Sequence, residues 1–189
     1  MKKLISAVLA LTLVLTMTAC GSKKTEATEP AVEAPASALE VLETIWGMYG
    51  DDEKFAVIGG DMSNPVSDAP GSYNLADENI GYTLLVPAEQ LKNITEAASM
   101  IHMMNANTFT CGVFRLAEGV KAADFGNAMK EAVMNNQWMC GFPETLVIQN
   151  IADTYVLVAF GVNDAINPFM NYLVAAYPQG TNLVKESIV

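Results

Sequence analysis

The sequence predicts an α+β domain: a two-layer sandwich with a mostly antiparallel four-stranded sheet, helices packed on one face, and an added N-terminal helix. Three observations carry this prediction. Four β-rich runs, at residues 94–105, 108–116, 145–151 and 154–161, fall into two pairs, each pair joined by turn residues. A segment of helical spacing follows each pair, so that hairpin and helix alternate twice in the carboxyl half. The stretch from Ser37 to Val189 holds about 150 residues, enough for one core and not for two.

Ser37-Ala38-Leu39-Glu40 fits a capping box, in which the serine oxygen takes the third backbone N–H and the glutamate reaches back. The helix it opens carries Leu42, Ile45, Trp46 and Tyr49 on one stripe and ends at Gly47 and Gly50. Phe55 to Ile58 reads as a short strand. From Gly59 to Gly81 the density of Gly and Pro predicts a long irregular passage, a kind of loop that is often functional. Thr83 to Val86 is expected as an edge strand, and Pro87 opens a short helix reaching Lys92.

Residues 94–105 satisfy two patterns. Leu91, Ile94, Ala98 and Ile101 keep helical spacing, while Met100, His102 and Met104 alternate as in a strand. Strand is preferred, because Asn105-Ala106-Asn107 then closes a hairpin with Thr108 to Leu116. Ala122, Phe125, Met129, Ala132 and Val133 step by three and four along an amphipathic helix. Tyr155 to Phe160 is apolar on both faces, as in a central strand. The last helix carries Phe169, Leu173, Ala176 and Tyr177. Asn163-Asp164 can cap it, and so can Asn167 with Pro168 in the first helical position.

The amino-terminal 36 residues read as address rather than fold. Lys2 and Lys3, an apolar run from Leu4 to Met17 and the small Ala19 predict a signal peptide over residues 1–19. The run is shorter than the ~20 residues that span a bilayer. Met17-Thr18-Ala19-Cys20 resembles the lipobox of bacterial lipoproteins, with methionine where leucine is more usual, which implies fatty acylation of Cys20. Acyl chains contribute about 0.8 kcal/mol per buried CH₂, so a multiply acylated cysteine holds a protein on the membrane without any apolar patch. Residues 20–36, rich in Lys, Thr, Glu, Ala and Pro, bury too little to order themselves and read as a flexible tether spanning up to about 50 Å. The expected location is therefore the outer face of the cell membrane, by lipid anchor.

The formal net charge is −11, and removing residues 1–19 takes away two lysines and no acid, leaving −13. An acidic surface repels phosphate backbones, so nucleic acid is not an expected partner.

Chemistry-bearing residues are few. His102 is the single histidine, and no serine sits in a Gly-x-Ser-x-Gly turn. His102 with Glu96, or Asp77 with Glu78, are the pairs available for acid-base work. Met100, His102, Met103, Met104 and Cys111 form a soft-ligand set suited to Cu(I), although methionine is more commonly an adaptable core filler. Asp51, Asp52, Glu53 and Asp61 lack the alternating order of a calcium loop and read as a solvated turn. No metal site or cofactor is expected. Cys111 and Cys140 stand 29 positions apart without a Cys-x-x-Cys. A disulfide between them would contribute roughly 3 kcal/mol; two buried free thiols are the rival reading. Trp138 and Phe142, in the connection after a helix, are the candidate recognition surface, since exposed aromatics in a loop are costly without purpose.

Residues Ala97 to Thr110 (AASMIHMMNANTFT) and Trp138 to Pro143 (WMCGFP) resemble uncharacterised lipoproteins of Gram-positive anaerobes. The strand-helix-strand-strand-helix order is similar to a domain of unknown function common among them. The resemblance covers Ala38 to Tyr177 and implies location and an α+β fold, with no activity attached. The expected function is a membrane-anchored extracytoplasmic binding module, not an enzyme, with a protein or small-molecule ligand. An extracytoplasmic enzyme using carboxylates and His102, or a Cu(I)-binding protein, are the alternatives.

Overall fold

The computed structural model describes residues 34–152 and 154–188; the predicted signal peptide, Cys20 and the tether up to residue 33 lie outside them. The described chain is α+β, built on one antiparallel sheet of eight strands. These are β1 (Val57–Gly60), β2 (Pro65–Ser67), β3 (Gly71–Tyr73), β4 (Ile94–His102), β5 (Phe109–Leu116), β6 (Thr145–Ile151), β7 (Tyr155–Gly161) and β8 (Thr181–Ser187). They run in the order β2-β1-β4-β5-β7-β6-β8, and β3 occupies the part of the β4 edge that β1 leaves free. The helices are α1 (Ala38–Gly47), α2 (Ile80–Thr83), α3 (Ala122–Met134) and α4 (Asn163–Ala176), with a 3-10 turn at Ala88–Asn93. None of the described helices is long and apolar enough to cross a membrane.

The four-stranded, two-layer expectation is corrected to eight strands with helices on both faces. Helices α1 and α4 cover Phe109, Cys111, Val113, Leu157 and Ala159. Helix α3 and the passage around α2 cover Phe114, Leu116, Ile148, Val156 and Val158. Topology explains the difference. β5 and β6 are both antiparallel to β7, so they are parallel to each other and α3 joins them by a crossover over one strand. β7 and β8 are related in the same way through α4. Both crossovers step in the same direction across the sheet, but they start from strands that run oppositely. If they share one hand, as such connections do almost without exception, their helices must lie on opposite faces.

With both faces covered, every residue of β7 is buried, which is why its sequence is apolar at consecutive positions. The strand reading of residues 94–105 holds for Ile94–His102, which is β4, with 103–105 in the turn, and the hairpins β4-β5 and β6-β7 form as expected.

Helix α1 begins as its sequence demands. Ser37 Oγ accepts the Glu40 N–H at 3.0 Å, and the Glu40 carboxylate accepts the N–H of Ala36, one residue before the cap. Glu96 of β4 takes the Ala38 N–H at 2.8 Å and ties the helix start to the sheet. The predicted stripe is buried, and Trp46, Phe55, Phe109 and Phe169 form a chain of edge-on rings with centroids 5.1–5.5 Å apart, linking α1, β5 and α4. Each such contact adds about 0.5–1.5 kcal/mol beyond area burial.

Three further expectations change. The irregular passage at 59–81 contains β2 and β3, folded tightly over the end of β1. The edge strand expected at Thr83 to Val86 is instead the end of the helical turn α2, because Ile80 and Leu84, four apart, both turn into the core under α3. Helix α4 starts at Asn163, leaving Pro168 inside it. The outermost strand, β8, has no counterpart in the sequence reading.

Candidate functional site

At one rim of the sheet, on the α3 face, the chain leaves a cleft of about 610 Å³. Its floor comes from the ends of three strands, Ile101 of β4, Thr110 of β5 and Phe160 of β7. One wall is the loop after α3, with Trp138 and Met139; the opposite wall is α2, with Tyr82. Met62, Met103 and Met104 stand at the mouth.

Apolar exposure is concentrated here. Of the ten large hydrophobic side chains exposed among the described residues, five (Met62, Tyr82, Met103, Met104 and Met139) line this cleft. Scattered exposure needs no account, whereas these five side chains share a single cleft. Tyr82 is 87% exposed and Met104 81%. No Asp, Glu, Lys or Arg lines the cleft.

Trp138 packs its indole against Phe160 with centroids 5.4 Å apart, and its buried Nε1–H has no partner among the described residues. A buried donor left unsatisfied costs about 1–3 kcal/mol.

The cleft walls are held by asparagines. Asn105 Oδ1 accepts the Asn107 N–H at 3.0 Å, folding the β4-β5 turn. From that turn Asn105 Nδ2 donates to the Cys140 carbonyl at 3.2 Å. Asn107 Nδ2 donates to the carbonyls of Met139 and Gly141 at 2.8 and 3.0 Å. The loop so clamped carries positive φ at Cys140 (62°) and Gly141 (130°), a backbone that a non-glycine adopts only when its surroundings impose it.

His102 organises the same turn. Its Nδ1 accepts the N–H groups of Met104 and Asn105 at 3.2 and 3.3 Å, and its ring stacks on Phe55 at 5.7 Å. With Nδ1 accepting, the ring proton of the neutral form sits on Nε2. The acid-base pairs considered from sequence are not assembled around it. Glu96 lies six residues along β4, about 20 Å away, and serves α1. Asp77 is occupied with the backbone N–H groups of Asn79 and Met62.

The soft-ligand set is divided in the same way: Met100 and Cys111 face each other inside the core, while Met103 and Met104 are exposed at the cleft mouth. Among the described residues no group of three or more His, Cys, Asp or Glu could hold a metal. Asp61 is a loop organiser rather than part of an acidic cluster, accepting N–H groups from Ser63, Asn64 and Asn74. Glu53 accepts the Gly50 N–H and the Tyr172 hydroxyl.

Cys111 and Cys140 are both free thiols, so the bridge considered between them is not formed. Cys111 lies beneath α1 and α4, where burial pushes its thiol pKa well up, and Cys140 is exposed in the clamped loop. The two predicted recognition aromatics are also separated. Trp138 lines the cleft; Phe142, 61% exposed, does not.

Tyr82, Asn105 and Asn107 were not singled out from the sequence as site residues. The Asn-Ala-Asn signal announces a turn, and nothing local to it says that the turn will reach residues 32 to 35 positions ahead. No protein family, curated protein or solved structure matches the chain.

Proposed function

We propose that this protein is a lipoprotein anchored through Cys20 on the outer face of the cell membrane, whose domain is a binding module that receives an apolar group at the Trp138 cleft. The observation that carries the binding reading is the gathering of half the large hydrophobics exposed among the described residues around one cleft that no Asp, Glu, Lys or Arg lines. Methionine side chains at the mouth re-pack around differently shaped groups at little cost. Seating one Leu- or Phe-sized side chain there is worth about 1.5–3 kcal/mol. That suits a module whose affinity is built from several contacts.

The test is a titration with N-phenyl-1-naphthylamine, an uncharged dye that brightens in apolar sites. Saturable binding that is lost in Met139→Asp, with unfolding behaviour unchanged, is expected. Dye binding that is absent, or unaffected by the substitution, would overturn the reading.

A further inference from the structure

We infer that the occupant of the cleft is an extended peptide segment with an apolar residue followed by basic ones; this deepens, and rests on, the binding reading above. The cleft adjoins a second, more open cavity of about 610 Å³, and the two share Leu85, Asn136 and Gln137 as lining. The character of the lining changes at that junction. The second cavity carries Glu89 from the 3-10 turn on one side and Glu131 from α3 on the other, and no Lys or Arg lines either half. Neither glutamate is in an ion pair among the described residues; Lys130, beside Glu131, pairs with Glu186 instead. A groove that is apolar at one end and flanked by two uncompensated carboxylates at the other complements an amphipathic cation. The net charge, −13 once residues 1–19 are removed, steers the same class of ligand toward it.

The junction favours a peptide over a simple amine. Asn136 and Gln137 have side-chain amides without partners among the described residues, and an amide offers both a donor and acceptors to a main-chain peptide group.

The experiment is displacement of bound N-phenyl-1-naphthylamine by three blocked tetrapeptides, acetyl-Phe-Leu-Lys-Lys-amide and its Gln-Gln and Glu-Glu counterparts, with n-octylamine as a fourth competitor. The Lys-Lys peptide should displace the dye at about tenfold lower concentration than the Gln-Gln peptide at low salt, the ratio two partly screened ion pairs supply. The Glu-Glu peptide should be weakest. Glu89→Gln combined with Glu131→Gln should abolish the preference while leaving dye binding unchanged. Equal potency of the Lys-Lys and Gln-Gln peptides, a preference that survives the double substitution, or displacement by octylamine and by no peptide would each overturn the inference. Failure of the dye itself to bind would instead overturn the underlying binding reading.

Discussion

A Cβ added to Gly59 would stand 2.1 Å from the backbone nitrogen of Gly71, and one added to Gly71 would stand 2.6 Å from that of Gly60. These are contacts between main chains, which cannot rotate aside. Gly59→Ala is therefore expected to cost about 2–3 kcal/mol in urea unfolding. Gly47→Ala, at the open end of α1 with nothing within 4 Å, should be neutral or stabilising by up to about 1 kcal/mol. Asp61 sets a different constraint, on pH. Its burial pushes the carboxyl pKa up, but the N–H groups of Ser63, Asn74 and Asn64 outweigh this and hold it below the ordinary 3.8. Asp77 is lowered too, chiefly by the Asn79 N–H. A folded-state pKa below the unfolded one means stabilisation that is complete above 3.8 and drains away as pH falls through the folded value. The urea midpoint should therefore drop as pH is lowered from about 4 to 2, and Asp61→Asn should flatten that drop while lowering the midpoint at neutral pH.

Among the elements, α4 is held from a distance. The first helical N–H, of Asn163, is taken by the Glu144 carboxylate at 2.8 Å, and the Asn163 side-chain oxygen accepts the Thr145 hydroxyl at 2.7 Å. This cap lies 19 residues upstream of the helix. With the start fixed there, Pro168 comes to lie inside the helix on its exposed side. Glu144→Ala should cost about 1 kcal/mol and speed amide exchange in the first turn of α4, with Glu144→Gln intermediate. The same distance effect decided what the sequence could disclose. The local signals were readable: the Ser37 cap, the period of α3, the hairpins, and the double-faced apolarity of β7. β2 and β3 were not, since three residues carry no period. Nor was β8, whose lone buried residue, Val184, sits among exposed polar and charged positions as is usual for a protected edge. In the cleft, Trp138 stood out because its bulk in a loop is conspicuous. Asn107, whose amide bonds two carbonyls of that loop, looked like any turn residue. Asn107→Ala should cost about 1–2 kcal/mol and change the emission of Trp138, read in a Trp46→Phe background.

For the molecule as a whole, the proposed anchor and the binding cleft are separable. Under that proposal the native protein carries a diacylglyceryl mass on an amino-terminal Cys20 and enters the detergent phase on phase separation; Cys20→Ala should stay in the aqueous phase or retain Met1, with dye binding at the cleft unchanged. A native protein beginning at Met1 would contradict the anchor and leave the cleft untouched. The sheet order has a consequence of its own for how the chain assembles. Its central ladder joins β5 to β7, strands that belong to different hairpins and are separated by about 40 residues of chain, so the middle of the sheet closes late and through sequence-distant partners. Synthesis order and assembly order part company: a polypeptide cut short before Tyr155 has no seam to zip, and each hairpin alone leaves its inner edge bare. Under the proposed export, a chain threaded across the membrane unfolded would close that seam only on the far side.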